Sequence, residues 1–196
     1  MNTRLINLAH HAAVRSIGSA TLLAVCCGYA AAADNLNLTF SANIRETTCD
    51  IKIEGGIDNG TSNTITLGTD GKSRVDHVAK GEVNTPFKLV ISECPSSLSA
   101  LKTEVSGTSA TKTALANSID AVAGGAANVG LTIARASVPE SPFEINSVDD
   151  SKRLVWSPEE ISNKEVELLA TLVETKTDSA GTGTFETLAT FNFTYE

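Results

Sequence analysis

The sequence predicts an all-β fold, an antiparallel β-sandwich pinned by one disulfide. Three observations predict it. Apolar residues recur with period two in short runs along most of the chain, as they do on strands with one buried face. Clusters of Gly, Asp, Asn, Pro and Ser separate the runs. Four cysteines reduce to one pair, Cys49 and Cys94, once an N-terminal leader is set aside.

The leader occupies residues 1–33. Arg4 and Arg15 make its start positive, residues 17–32 carry no charge, and Ala30, Ala31, Ala32 and Ala33 supply small residues for a signal peptidase. Asp34 is the first acidic residue. A membrane anchor is the competing reading, but an apolar run of about 16 residues falls short of the ~20 a spanning helix needs. A lipid anchor on Cys26 is disfavoured by the bulky Val25 before it. Cleavage leaves about 163 residues, enough for one domain. It also takes Arg4 and Arg15 from the 15 basic residues, leaving 13 against 23 acidic ones, a net charge near −10. Such a balance argues against nucleic acid as a partner, which rewards basic patches. In an exported chain Cys49 and Cys94 have only each other to pair with. Closing a loop of about 46 residues stabilises the fold by ~4 kcal/mol through loop entropy.

The strands read off in order. Leu36, Leu38, Phe40, Ala42 and Ile44 alternate with Asn37, Thr39, Ser41 and Asn43. Ile51 and Ile53 continue beyond Cys49, and Phe87, Leu89 and Ile91 alternate before Cys94. Residues 102–106 form a further strand, and residues 113–119 read as a short helical turn. Val129, Leu131 and Ile133 follow a small-residue stretch, and Val166, Leu168, Ala170 and Leu172 form the next strong run. Ser157-Pro158-Glu159-Glu160 is a helix start for a very short helix. Ala189, Phe191, Phe193 and Tyr195 make the final alternating run. Many short strands with frequent turns favour an antiparallel sandwich.

No pattern of catalytic chemistry stands out. The chain shows no Gly-rich phosphate loop, His-Glu metal motif or nucleophile elbow. His77 is the single histidine after the leader, which weakens acid–base schemes and, with two cysteines, makes no recognisable metal set. No catalytic residue, metal or cofactor is expected. The adjacent acids Asp149-Asp150 and Glu159-Glu160 read as solvated loop charges. The Asn-x-Thr triplets at Asn37, Asn59 and Asn192 read as chance matches in a Thr-rich chain.

The two ends carry the functional reading. An alternating strand stands before Cys49, and the last alternating run reaches Tyr195 with only Glu196 after it. A complete immunoglobulin-like sandwich would add a strand there to cover the open edge.

In these features the chain resembles the pilins of the chaperone–usher pathway, in particular the minor or adaptor subunits of type 1-like fimbriae. The resemblance rests on the alternating strand before Cys49 and on Pro86-Phe87-x-Leu89-x-Ile91-x-x-Cys94. It rests also on Asn128-Val129-Gly130-Leu131-x-Ile133 and on the penultimate Tyr195. Ala42 stands where pilin donor strands carry a glycine. The resemblance implies an incomplete immunoglobulin-like sandwich lacking its C-terminal strand. It divides the chain into a signal peptide (1–33), an N-terminal donor strand (34–45) and a pilin domain (46–196). It implies a structural fimbrial subunit that polymerises by donor-strand exchange and supports cell adhesion. Leu36, Leu38, Phe40, Ala42 and Ile44 would enter a neighbour's groove. Ala189, Phe191, Phe193, Tyr195 and Glu196 would form the acceptor edge. The implied partners are a periplasmic chaperone, an outer-membrane usher, neighbouring subunits and, through the fimbrium, a host surface. Export through the periplasm to the cell surface follows.

Two readings compete. A glycan-binding adhesin module would place aromatic residues for sugar stacking, but Trp156 is the single tryptophan and no room remains for a separate lectin domain. A secreted β-sandwich enzyme would need a catalytic constellation that the sequence does not display.

Overall fold

The period-two runs become strands. The computed structural model describes residues 48–58 and 63–196, so the leader and the alternating segment 36–44 lie outside the described residues. Strand β1 spans Asp50–Glu54, β2 Ile57–Asp58 and β3 Asn63–Thr64, followed by helix α1 at Val75–Ala79. Strands β4 (Asn84–Ser92), β5 (Leu101–Ser106) and β6 (Ala114–Ala116) precede a 3-10 turn at Ala121–Ala123. Strand β7 is Val129–Arg135 and β8 Leu154–Val155; helix α2 is Pro158–Asn163. Strand β9 (Glu165–Glu174) and strand β10 (Thr190–Tyr195) complete the set.

Two antiparallel sheets result. One has the order β1-β4-β9-β7-β6 and the other β10-β5-β8, with β2 and β3 forming a small separate hairpin. The register aligns the apolar faces. Leu89 lies opposite Val166 and Phe87 opposite Leu168, while Ala170 and Leu172 lie opposite Ile133 and Leu131. These residues are buried in one core with Leu101, Val105 and Leu154 from the second sheet. Each large apolar side chain so buried contributes about 1.5–3 kcal/mol. The fold is thus the predicted all-β sandwich, and it holds the predicted disulfide, Cys49–Cys94.

One polar residue sits within that core. Thr103 is fully buried, and its hydroxyl accepts a hydrogen bond from the Trp156 indole N–H at 2.9 Å. The pair satisfies both polar groups, so neither carries the cost of an unmade hydrogen bond.

The helix start at Ser157 forms as expected. Ser157 Oγ accepts from the Glu160 N–H and the Glu160 carboxylate accepts from the Ser157 N–H, a capping box with Pro158 in the first turn. Lys164 ends the helix with φ 61°.

Two readings of the sequence are corrected. Residues 114–116 form strand β6, where a helical turn was expected. Ala114 and Leu115 are both buried, and they pair with Thr132 and Leu131 of β7. That close pairing depends on Gly130, where an added Cβ would lie 2.8 Å from Thr175 and 2.9 Å from the Leu115 carbonyl. Glu160 is not a simple solvated charge, whereas Asp149 and Asp150 are exposed loop residues as expected. Glu160 forms a two-pronged pair with Arg135, and Asp150 accepts from Arg153 and Lys102. Helix α1, which the sequence did not signal, packs Val78 into the core and has no side-chain cap at Arg74. Its His77 forms a surface pair with Glu82.

Candidate assembly groove

Strand β10 lies at the edge of its sheet. Among the described residues it pairs only with β5, Tyr195 opposite Leu101, Phe193 opposite Thr103 and Phe191 opposite Val105. The inward residues of β5 are fully buried, whereas those of β10 are only partly covered. The difference follows from position. A central strand is flanked on both sides, but an edge strand leaves one flank and a row of backbone groups open.

The open line is longer than β10 itself. From Phe185 to Tyr195, every odd-numbered residue is partly buried and every even-numbered one exposed. Phe185, Ala189, Phe191, Phe193 and Tyr195 all pack against the core without being closed off by it. Ala189 precedes the paired strand by one residue yet shares this face. Across the gap, Phe191 meets Phe87 of the other sheet with ring centroids 6.1 Å apart, a tilted contact.

The opposite wall is β1. Its inward residues Ile51 and Ile53 are likewise partly exposed, and among the described residues β1 pairs only with β4. At one end the two walls approach each other: burial first, and then the charge of Asp50, push the Tyr195 hydroxyl above its usual pKa. The Cys49–Cys94 bond fastens the start of β1 beside the end of β4. The result is a trough, with apolar side chains along its floor and, along β10, an edge that is unpaired among the described residues.

Each end of this edge is fastened by polar contacts. At Glu196 the main-chain oxygen accepts from the N–H groups of Ser99 and Ala100 and from the Ser99 hydroxyl. The Glu196 N–H donates to the Ala100 carbonyl, and Lys102 Nζ lies 2.7 Å from the Glu196 carboxylate. Lys102 also pairs with Asp150 at 3.1 Å, and these partners raise its pKa. At the other end, Asn117 and Ser118 bind Thr184 and Glu186. Sequence reasoning missed both fastenings, because they join residues about 70 to 100 positions apart and carry no local motif.

The predicted acceptor residues Ala189, Phe191, Phe193, Tyr195 and Glu196 therefore lie along one edge. The predicted donor residues, Leu36 to Ile44 in alternation, lie outside the described residues. Trp156 is buried against Thr103 and offers no face to a sugar. Among the described residues, no group of three or more His, Cys, Asp or Glu is arranged to hold a metal.

Comparison with known proteins places this geometry in context. The family model described as "Fimbrial protein" matches residues 38–196. The chain is 30% identical over 171 residues to the uncharacterized fimbrial-like protein YadM of Escherichia coli (strain K12), covering 84% of this chain and 88% of that protein. Among solved structures it is similar to the P pilus rod subunit PapA, with TM-score 0.47 and 15% identity over 82% of this chain and the whole of PapA. It is also similar to the P pilus adaptor subunit PapF, with TM-score 0.43 and 18% identity over 79% of this chain and the whole of PapF.

Proposed function

We propose, from the premise that this chain belongs to the fimbrial protein family as a structural, non-enzymatic subunit of a surface fimbrium, that it assembles by accepting and donating a β-strand. The observation that carries the proposal is the partly exposed apolar line from Phe185 to Tyr195, bordered by an edge with no partner strand among the described residues.

A strand from another molecule meets both needs of that edge. Its backbone groups complete the ladder along β10, and alternate side chains fill the trough. Eleven residues from 185 to 195 extend about 36 Å, and the nine of segment 36–44 about 30 Å, at ~3.3 Å per residue. The alternation of Leu36, Leu38, Phe40, Ala42 and Ile44 matches the alternation of the acceptor face. A slip of one residue would turn the apolar set to solvent, so the register is strongly specified. Four large side chains contribute roughly 6–12 kcal/mol before ordering costs are subtracted.

In this reading residues 1–33 are a signal peptide, 34–45 the donor strand and 46–196 the pilin domain. The trough and its edge invite aggregation if left open. A periplasmic chaperone therefore covers them first, along β10 as far as Glu196. An outer-membrane usher is the place where a neighbouring subunit's strand replaces the chaperone. The chain reaches the cell surface by that route and supports adhesion through the fimbrium.

The test is incorporation of a charged donor. Phe40→Asp puts a carboxylate at the centre of the proposed strand, outside the segment 46–196 proposed as the pilin domain. We expect the variant to be exported and to be missing from assembled fimbriae. Its presence at normal levels would remove segment 36–44 from the mechanism.

A further inference from the structure

We infer that Asn117 is a positioning residue for strand uptake, holding the Phe185 end of the acceptor trough in shape before any strand arrives. The inference rests on the strand-exchange reading above and adds a residue that nothing in the sequence pattern marked.

Asn117 uses its whole hydrogen-bonding capacity on three separate segments. Its amide nitrogen donates to the carbonyls of Ala126 at 3.1 Å and Thr184 at 2.8 Å. Its amide oxygen accepts from the N–H groups of Ile119 at 3.1 Å and Glu186 at 3.0 Å. An asparagine amide has two donors and two acceptor sites, so none is left over. Ser118 adds to the clamp, its N–H and its hydroxyl both donating to the Glu186 carbonyl.

The residues so held, Thr184 and Glu186, flank Phe185. Phe185 is the first apolar side chain of the open line and packs against the core. It stands five residues before the β10–β5 ladder begins at Thr190, so that ladder does not fix it. What fixes it is a local lattice. Thr184 exchanges backbone hydrogen bonds with Ala126 and Gly124, and Asn117 ties that lattice to the strand beside it. Gly183 permits the close approach, since a Cβ there would lie 2.5 Å from the backbone of Gly125 and Ala126. Without the amide, this stretch would have to be ordered during uptake, and ordering costs subtract from affinity.

The experiment uses the whole exported chain carrying Phe40→Asp, so that its own segment does not act as donor, and a fluorescent peptide of residues 35–45. Peptides with Leu36→Ala and with Ile44→Ala probe the two ends. Asn117→Ala is expected to weaken uptake of the unaltered peptide about tenfold. It should also cut the penalty of one terminal substitution, the one seated at Phe185, at least fivefold while leaving the other unchanged. Asn117→Asp keeps the acceptor oxygen but sets a second oxygen against the Ala126 and Thr184 carbonyls, so it should weaken uptake as Asn117→Ala does; it also serves if Asn117→Ala does not fold. Ile133→Val, buried away from the trough, lowers stability and should weaken all three peptides equally or not at all. Failure of the chain with native Asn117 to take up any peptide would sink the strand-exchange reading. Normal uptake there, with both Asn117 variants weakening every peptide alike or none, would overturn the inference alone.

Discussion

The disulfide sets a measurable limit on how the trough's second wall is held. Cys49 and Cys94 are 45 positions apart, and the bond sits where β1 begins and just beyond the end of β4. Among the described residues strand β1 is an edge strand with five paired positions and no fully buried side chain, so little else there secures it. Replacing both cysteines by alanine removes the constraint on the unfolded chain, about 4 kcal/mol for a loop of this length. For a domain of this size each kcal/mol moves the melting point by roughly 2–4 °C, so a fall of about 8–16 °C is expected. Urea unfolding of the whole exported chain, oxidised native protein against the double variant, supplies the free energy. Hydrogen exchange then locates the loss, and the amides of Asp50–Glu54 should become the first to open. A change below about 1 kcal/mol, or uniform loss of protection with β1 no different from β4, would refute the reasoning. The first outcome would mean that the unfolded chain keeps its ends together without the bond; the second would mean that β1 is held by the core.

Other predictions follow from the buried polar groups. Trp156→Phe keeps most of the apolar volume but leaves the Thr103 hydroxyl without its donor, and chemical unfolding should show a loss of about 1–3 kcal/mol. Trp156→Phe combined with Thr103→Val should recover much of it. Glu160 governs part of the acid sensitivity. Burial works against its ionisation, but hydrogen bonds from Arg135 and the Ser157 N–H together outweigh burial, and its pKa is lowered. A carboxyl with a lowered folded pKa adds stability above its unfolded value, near 4.5, and the gain is lost as pH falls through the folded value. Stability of the native chain should therefore fall on acidification below about pH 5, and Glu160→Gln should flatten that fall. At neutral pH the same substitution should cost about 1–2 kcal/mol, from the Arg135 pair and the helix cap together.

What could be read in the sequence was what local alternation encodes. Phe87, Leu89 and Ile91 in β4, and Val166, Leu168, Ala170 and Leu172 in β9, keep one face buried over the whole strand, so period two shows plainly. The start of α2 was equally legible, because a capping box is a four-residue signal. Strand β6 was not. Ala114 and Leu115 are consecutive and both buried, which removes the alternation, and alanine favours helix when no partner strand is considered. The proposed acceptor residues were legible as a strand, but their partial exposure depends on which strand stands beside them. The Asn117 clamp and the Lys102–Glu196 pair were invisible for a related reason. Each is a meeting of residues far apart in the chain, and a lone Asn or Lys in a loop or strand announces nothing by itself.

The central claim is that the trough along β10 is filled by a strand from another molecule. A photo-activated cross-linker in place of Phe193, in assembled fimbriae, reports directly on what lies there. The account predicts capture of the N-terminal alternating segment of a neighbouring fimbrial subunit. Capture of nothing but this chain's own residues would contradict it.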